Sequence, residues 1–128
     1  MFIFLLFHFA LIVSAQESCG RECSYSIDDQ NEKLIIEVNG IIELESFDQI
    51  DSIKTIEING NIISYPQNFI NKFVSLESVI INTESIPTGF FANSKIKEVT
   101  IGTNVEIIEE RSFESCSELE IIQFETES

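Results

Sequence analysis

A chain of 128 residues with 22 acidic and 7 basic side chains has a formal net charge of −15, and this length suits a single domain. The charge balance argues against binding DNA, RNA or anionic lipid headgroups, which require clustered positive charge, and favours solubility and a basic or cation-bridged partner. The single histidine, His8, lies in the first apolar run, so the rest of the chain lacks the commonest general base and metal ligand.

That first run extends from Phe2 to Val13 and is broken only by His8. Val13-Ser14-Ala15 fits the small-residue pattern before a signal-peptidase cut. A membrane-spanning helix would need roughly 18 or more apolar residues, which this run does not reach. No Lys or Arg precedes it, so only the amino terminus supplies positive charge. Residues 1–15 are read as a cleaved signal peptide, with an uncleaved membrane anchor as the alternative. They contain no charged side chain, so residues 16–128 keep the full net charge of −15. The expected product is secreted or held at the cell surface, without membrane insertion of the mature chain.

Export permits disulfides. Cys19-Gly20-Arg21-Glu22-Cys23 is short enough to close a small loop, and the odd cysteine count then leaves Cys116 as a thiol. The alternative pairs Cys116 with one of the two N-terminal cysteines. Ser24 to Ile27 alternates weakly, and Asp28-Asp29-Gln30-Asn31 has turn composition. Residues 16–33 are therefore expected to form a hairpin that caps the rest of the domain.

From residue 34 short apolar alternations recur: Ile36-Glu37-Val38, Ile56-Glu57-Ile58, Val79-Ile80-Ile81, Val99-Thr100-Ile101 and Ile122-Gln123-Phe124. Their last residues lie 20, 23, 20 and 23 apart, a spacing that marks a stacked solenoid. Each alternation is β-branched and brief, as in a strand with two inward side chains and one outward. Ile53, Leu76, Ile96 and Leu119 each stand three residues before a strand. Upstream lie Phe47 with Ile50, Ile70 with Phe73, and Phe113 with Cys116, whereas the Phe91 unit is one residue shorter. Asn39-Gly40, Asn59-Gly60, Asn82-Thr83 and Gly102-Thr103 come directly after the strands and are expected as turns. Asn-Gly between alternations also signals hairpins, but an antiparallel meander does not require the same upstream phrase before successive strands.

The segment from Ile101 through Val105, Ile108, Phe113, Cys116, Leu119 and Ile122 to Phe124 resembles the leucine-rich-repeat family, in particular its BspA-like subclass. The resemblance covers roughly Leu34 to Phe124. It implies a leucine-rich-repeat solenoid of about four repeats: a short parallel β-sheet, irregular or short-helical connections, and the N-terminal β-hairpin cap over 16–33. The expected core is the inward Ile/Val/Leu ladders with Phe47, Phe73, Phe91 and Phe113. After Phe124 only Glu-Thr-Glu-Ser remains, so either the array is a fragment or its last rung is covered by another molecule.

Little in these residues carries catalytic chemistry. Cys116 occupies an inward position and is expected to be a small buried hydrophobe in an acidic neighbourhood, not a nucleophile. Asp28, Asp29, Asn31 and Glu32 lack the glycine and spacing of a calcium loop and suit an ordinary polar turn. Glu106, Glu109 and Glu110 suit a solvated face. No cofactor, metal site or enzymatic activity is implied, and no Asn-x-Ser/Thr site is present.

The architecture does supply a surface, because outward residues of stacked strands form ladders about 4.8 Å apart. Glu37, Glu57, Ile80, Thr100 and Gln123 are expected in one row, with Ile35, Thr55, Ser78, Glu98 and Ile121 beside it. A protein partner would dock on Ile80 and Ile121, with Glu37, Glu57 and Glu98 selecting basic groups. The family resemblance implies adhesion to an extracellular or host protein. The alternative is self-association through an uncapped C-terminal rung, with Ile122 and Phe124 at the interface. A secreted hydrolase is disfavoured by the missing histidine and nucleophile motif.

Overall fold

The computed structural model describes residues 16–48 and 50–126, so the signal-peptide reading of residues 1–15 lies outside the described residues. Among the described residues nine strands form: β1 (Glu17–Gly20), β2 (Cys23–Asp28), β3 (Lys33–Ile41), β4 (Thr55–Ser64), β5 (Ser78–Thr83), β6 (Ser85–Ile86), β7 (Glu98–Ile101), β8 (Ile107–Ile108) and β9 (Ile121–Phe124). Seven of them make one sheet in the order β1-β2-β3-β4-β5-β7-β9. The first two pairings are antiparallel and the rest are parallel. A parallel pair, β6 with β8, forms a second ladder after the corner. Connections are irregular or single 3-10 turns at Leu44–Ser46, Ile50–Ser52 and Ile70–Lys72. The antiparallel meander is thereby ruled out.

Two inward ladders carry the core. Leu34, Ile56, Val79 and Val99 stack in register, and so do Ile36, Ile58, Ile81 and Ile101, all at most 3% exposed. Each such side chain removed from water contributes about 1.5–3 kcal/mol before entropy is subtracted. Behind them runs a column of rings. Tyr25 meets Phe47 at 4.7 Å, Phe47 meets Phe69 at 5.7 Å, and Phe69 meets Phe73 and Phe90 at 5.3 and 6.3 Å. Phe90 and Phe91 touch at 4.9 Å, and Phe91 stacks on Phe113 at 5.2 Å. Phe69 and Phe90 thus join the core beside the phenylalanines expected there, while Phe113 is only half-buried, in the last described turn.

Two expectations are corrected. The first concerns register. Leu34 pairs with Ile56 and Ile36 with Ile58, so the first rung-to-rung step is 22 residues and not 20. Leu34, Ile36 and Val38 alternate without a break, so the apolar pattern alone fits two registers. The second concerns Asn39-Gly40 and Asn59-Gly60, which are not turns but lie inside β3 and β4. Glycine is needed at residue 60 because its φ is +114° and a Cβ there would overlap the Val38 carbonyl oxygen. Asn82-Thr83 likewise ends a strand, and of the four dipeptides only Gly102-Thr103 leaves the sheet.

A charge ladder runs along the strand entrances. The backbone links Lys54 N–H to Glu32, Glu77 to Lys54, Lys97 to Glu77 and Glu120 to Lys97, each at 2.8–2.9 Å. Acid and base therefore alternate from rung to rung, and Lys54 pairs with Glu32 at 3.4 Å. A slip of one rung would set like charges side by side, which is unfavourable between adjacent strands.

The β1–β2 hairpin pairs antiparallel with β3 and carries the Cys19–Cys23 disulfide. Its loop is bound to the end of the first turn: the N–H groups of Asn39, Ile41 and Glu43 donate to the carbonyls of Glu22, Arg21 and Cys19 at 2.9, 2.8 and 2.7 Å. Cys116 is a free thiol. It is half-buried, not fully buried as expected, since no further turn among the described residues lies over it. Its Sγ donates to the Phe91 carbonyl at 3.0 Å.

Candidate protein-binding face

Strand alternation sends one side chain in two away from the core, so the large sheet has an outer face made of rows. The observed register builds three. Lys33, Thr55, Ser78, Glu98 and Ile121 form the first, and Ile35, Glu57, Ile80, Thr100 and Gln123 the second. Glu37, Asn59 and Asn82 form the third. The row expected to run from Glu37 through Glu57 to Ile80 is therefore corrected. Ile35 takes the place assigned to Glu37, and Lys33 the place assigned to Ile35.

This shift creates a polar network that pattern reading missed. Lys33 Nζ lies 2.8 Å from Glu57 Oε1. Asn59 Nδ2 donates to Glu57 Oε2 at 3.0 Å and to Glu37 Oε2 at 3.1 Å. Burial would raise the Glu57 carboxyl, but the hydrogen bonds from Lys33 and Asn59, with the Lys33 charge, outweigh it and hold the group below its ordinary value. Beside it the hydroxyls of Thr55 and Ser78 meet at 3.0 Å. One available signal was the two-residue shift itself, which makes the first two steps 22 and 23 residues instead of 20 and 23.

The other half of the face is less polar and less tied. Ile80 and Thr100 are adjacent and half-buried, Glu98 stands between Ser78 and Ile121, and Gln123 is exposed. Ile121 is 44% exposed at the far end. Glu37 is exposed at the near end. The seven expected face residues thus share one side of the sheet, with Glu37 and Glu57 in neighbouring rows and not in one.

Among the described residues no group of three His, Cys, Asp or Glu side chains is arranged to hold a metal ion. The Asp28 carboxylate instead binds its own turn, accepting from Asn31 Nδ2 at 2.6 Å and from the Asn31 N–H at 3.4 Å. No described helix is long and apolar enough to cross a membrane.

Residues 20–128 match the BspA-type leucine-rich-repeat region, in six copies. The chain belongs to that family. Curated proteins and solved structures give no match. The folded BspA-type chain makes about four solenoid turns. A leucine-rich-repeat solenoid of this kind is a protein-interaction or repeat module, and the scaffold is typically non-enzymatic.

Proposed function

We propose that this BspA-type solenoid is a secreted or cell-surface adhesion module that docks an extracellular or host protein on the outer face of its sheet. The carrying observation is the composition of that face. Ile80 and Ile121 lie among Thr55, Ser78, Glu98, Thr100 and Gln123, with the Glu37–Asn59–Glu57–Lys33 network at one end. Apolar anchors inside a polar surround are the usual make-up of a protein-binding patch. Glu37, Glu57 and Glu98 would favour a partner with basic groups facing them. BspA-type repeats commonly occur in surface or secreted proteins, which supports the proposed location.

Binding of the purified, labelled protein to intact cells and to extracellular-matrix proteins tests this reading, beside an Ile80→Arg variant. Saturable binding by the parent that disappears in a folded I80R protein is the expected result. Equal binding by both would refute docking on this face. A second reading, self-assembly, rests on Ile121, Ile122 and Phe124 of β9, which are 44%, 44% and 64% exposed. It predicts multimers by light scattering and no cell or matrix binding.

A further inference from the structure

The stretch that leads into each parallel strand is shorter in one turn than in the others. Ile70 to Leu76 and Phe113 to Leu119 each take six steps, but Phe91 to Ile96 takes five. The short segment also puts Ser94 where its neighbours hold Phe73 and Cys116. One residue less of backbone, and a hydroxymethyl where Phe73 has a ring, leave a recess against the adjoining turn. A cleft of about 330 Å³ lies there. Its floor is Ile70, Phe73, Leu76 and Ile96 with Ser94, all buried, and at its mouth stand the amides of Asn71 and Asn93, Val74, 75% exposed, and Lys95.

Charge singles out the same place. Residues 66–76 and 86–97, which include every cleft-lining residue, hold Lys72, Lys95 and Lys97 and no Asp or Glu. The whole chain has 22 acids against 7 bases. Among the described residues Lys95 has no ion-pair partner, and neither have Lys72 and Lys97, whereas Lys33, Lys54 and Arg111 each have one; of Lys72, Lys95 and Lys97 only Lys95 lines the cleft. An apolar floor with one unneutralised ammonium at its mouth is complementary to an apolar stem ending in a single negative charge. The volume is at the lower end of small-molecule pockets, which run from about 300 to 1,000 Å³.

We propose that this cleft binds a soluble aliphatic carboxylate of medium chain length, its stem on the apolar floor and its carboxylate against Lys95. Ile80 is not among the residues lining it, so the site is separate from the outer sheet face. Titration calorimetry of the full protein with octanoate, octanol and octylammonium tests the proposal. Lys95→Glu and Val74→Asp serve as variants, both at exposed positions, with circular dichroism checking that each is folded. The expected result is saturable one-to-one binding of octanoate, tighter than octanol, with no binding of octylammonium. Lys95→Glu should weaken octanoate at least about tenfold, since a charge-assisted contact becomes a repulsion. Val74→Asp should weaken it as well, and Ile80→Arg should leave it unchanged. Octanoate binding that is absent, matched by octanol, or untouched by Lys95→Glu would overturn the site. Tighter octylammonium than octanoate would do the same, marking general adsorption to an acidic chain.

Discussion

Replacing Gly60 by alanine tests the register on which the outer face depends. Gly60 has φ +114° opposite Val38, and an added Cβ would overlap the Val38 carbonyl oxygen, an atom of the backbone that cannot swing aside. Strained backbone of this kind costs about 1–3 kcal/mol, and displacing the neighbouring strand loses about 0.5–1.5 kcal/mol per hydrogen bond. Reduced freedom of the unfolded chain returns only about 0.4–1 kcal/mol. With one hydrogen bond lost, the net expectation is a loss of about 0.5–4 kcal/mol, centred near 2. Gly89 supplies the control: its φ is +66°, and nothing lies within 4 Å of a built Cβ. There the left-handed cost of about 1–2 kcal/mol is largely offset by the same entropy term, leaving about 1 kcal/mol. Urea unfolding followed by circular dichroism gives both values from midpoint and slope. A register with Glu37 beside Glu57 would set Gly60 beside Gly40 and away from Val38. A Gly60→Ala loss no larger than that of Gly89→Ala would refute the observed pairing and the rows built on it.

The same region of the sheet and the β1–β2 hairpin yield two more predictions. The Glu57 carboxyl is held below its ordinary value of 4.5, so it adds stability that is complete above that pH and lost as pH falls through the lower folded value. The stability difference between the parent and Glu57→Gln should therefore be largest near neutrality and shrink below about pH 4.5; a difference that does not change with pH refutes the network. Reducing Cys19–Cys23, which are four positions apart, should cost about 2 kcal/mol by the chain-entropy relation. Denaturation midpoints with and without a phosphine reductant measure it, and identical midpoints would show that the loop does not depend on the bridge.

The strands were legible because β-branched residues alternate with period two, which leaves few other ways to bury Val79 with Ile81 or Val99 with Ile101. The first register was not, because Leu34, Ile36 and Val38 offer inward pairs at two offsets and only the neighbouring strand selects between them. Asn59-Gly60 has the composition of a turn, yet its glycine meets a close strand-to-strand approach, a tertiary demand invisible in local sequence. Phe69-Ile70 and Phe90-Phe91 are adjacent buried pairs in turns, the first at the start of a single 3-10 turn, where no fixed period separates inside from outside. The missing residue before Ile96 was plain in the spacing. That it opens a cleft depended on the backbone path of the two turns around it.

The distribution of hydrogen bonds assigns different tasks to the two ends of the proposed docking face. At the Lys33 end, Glu57, Asn59 and Glu37 already bind one another, and Thr55 binds Ser78. A partner there must replace contacts already made, so these groups discriminate among partners and steer approach more than they add affinity. Affinity must come from desolvating Ile80 and Ile121; Ile80 lies between Glu57, which belongs to that network, and Thr100, while Ile121 lies beside Glu98 at the far end. The inward residues on either side of Ile80, Val79 and Ile81, are both fully buried, so the core sits on the opposite side of the strand from the substituted side chain. Arginine at residue 80 keeps its charge in water and its stem along the sheet, at a cost expected to fall within about 1 kcal/mol. Loss of binding in that variant would therefore report the surface and not the fold.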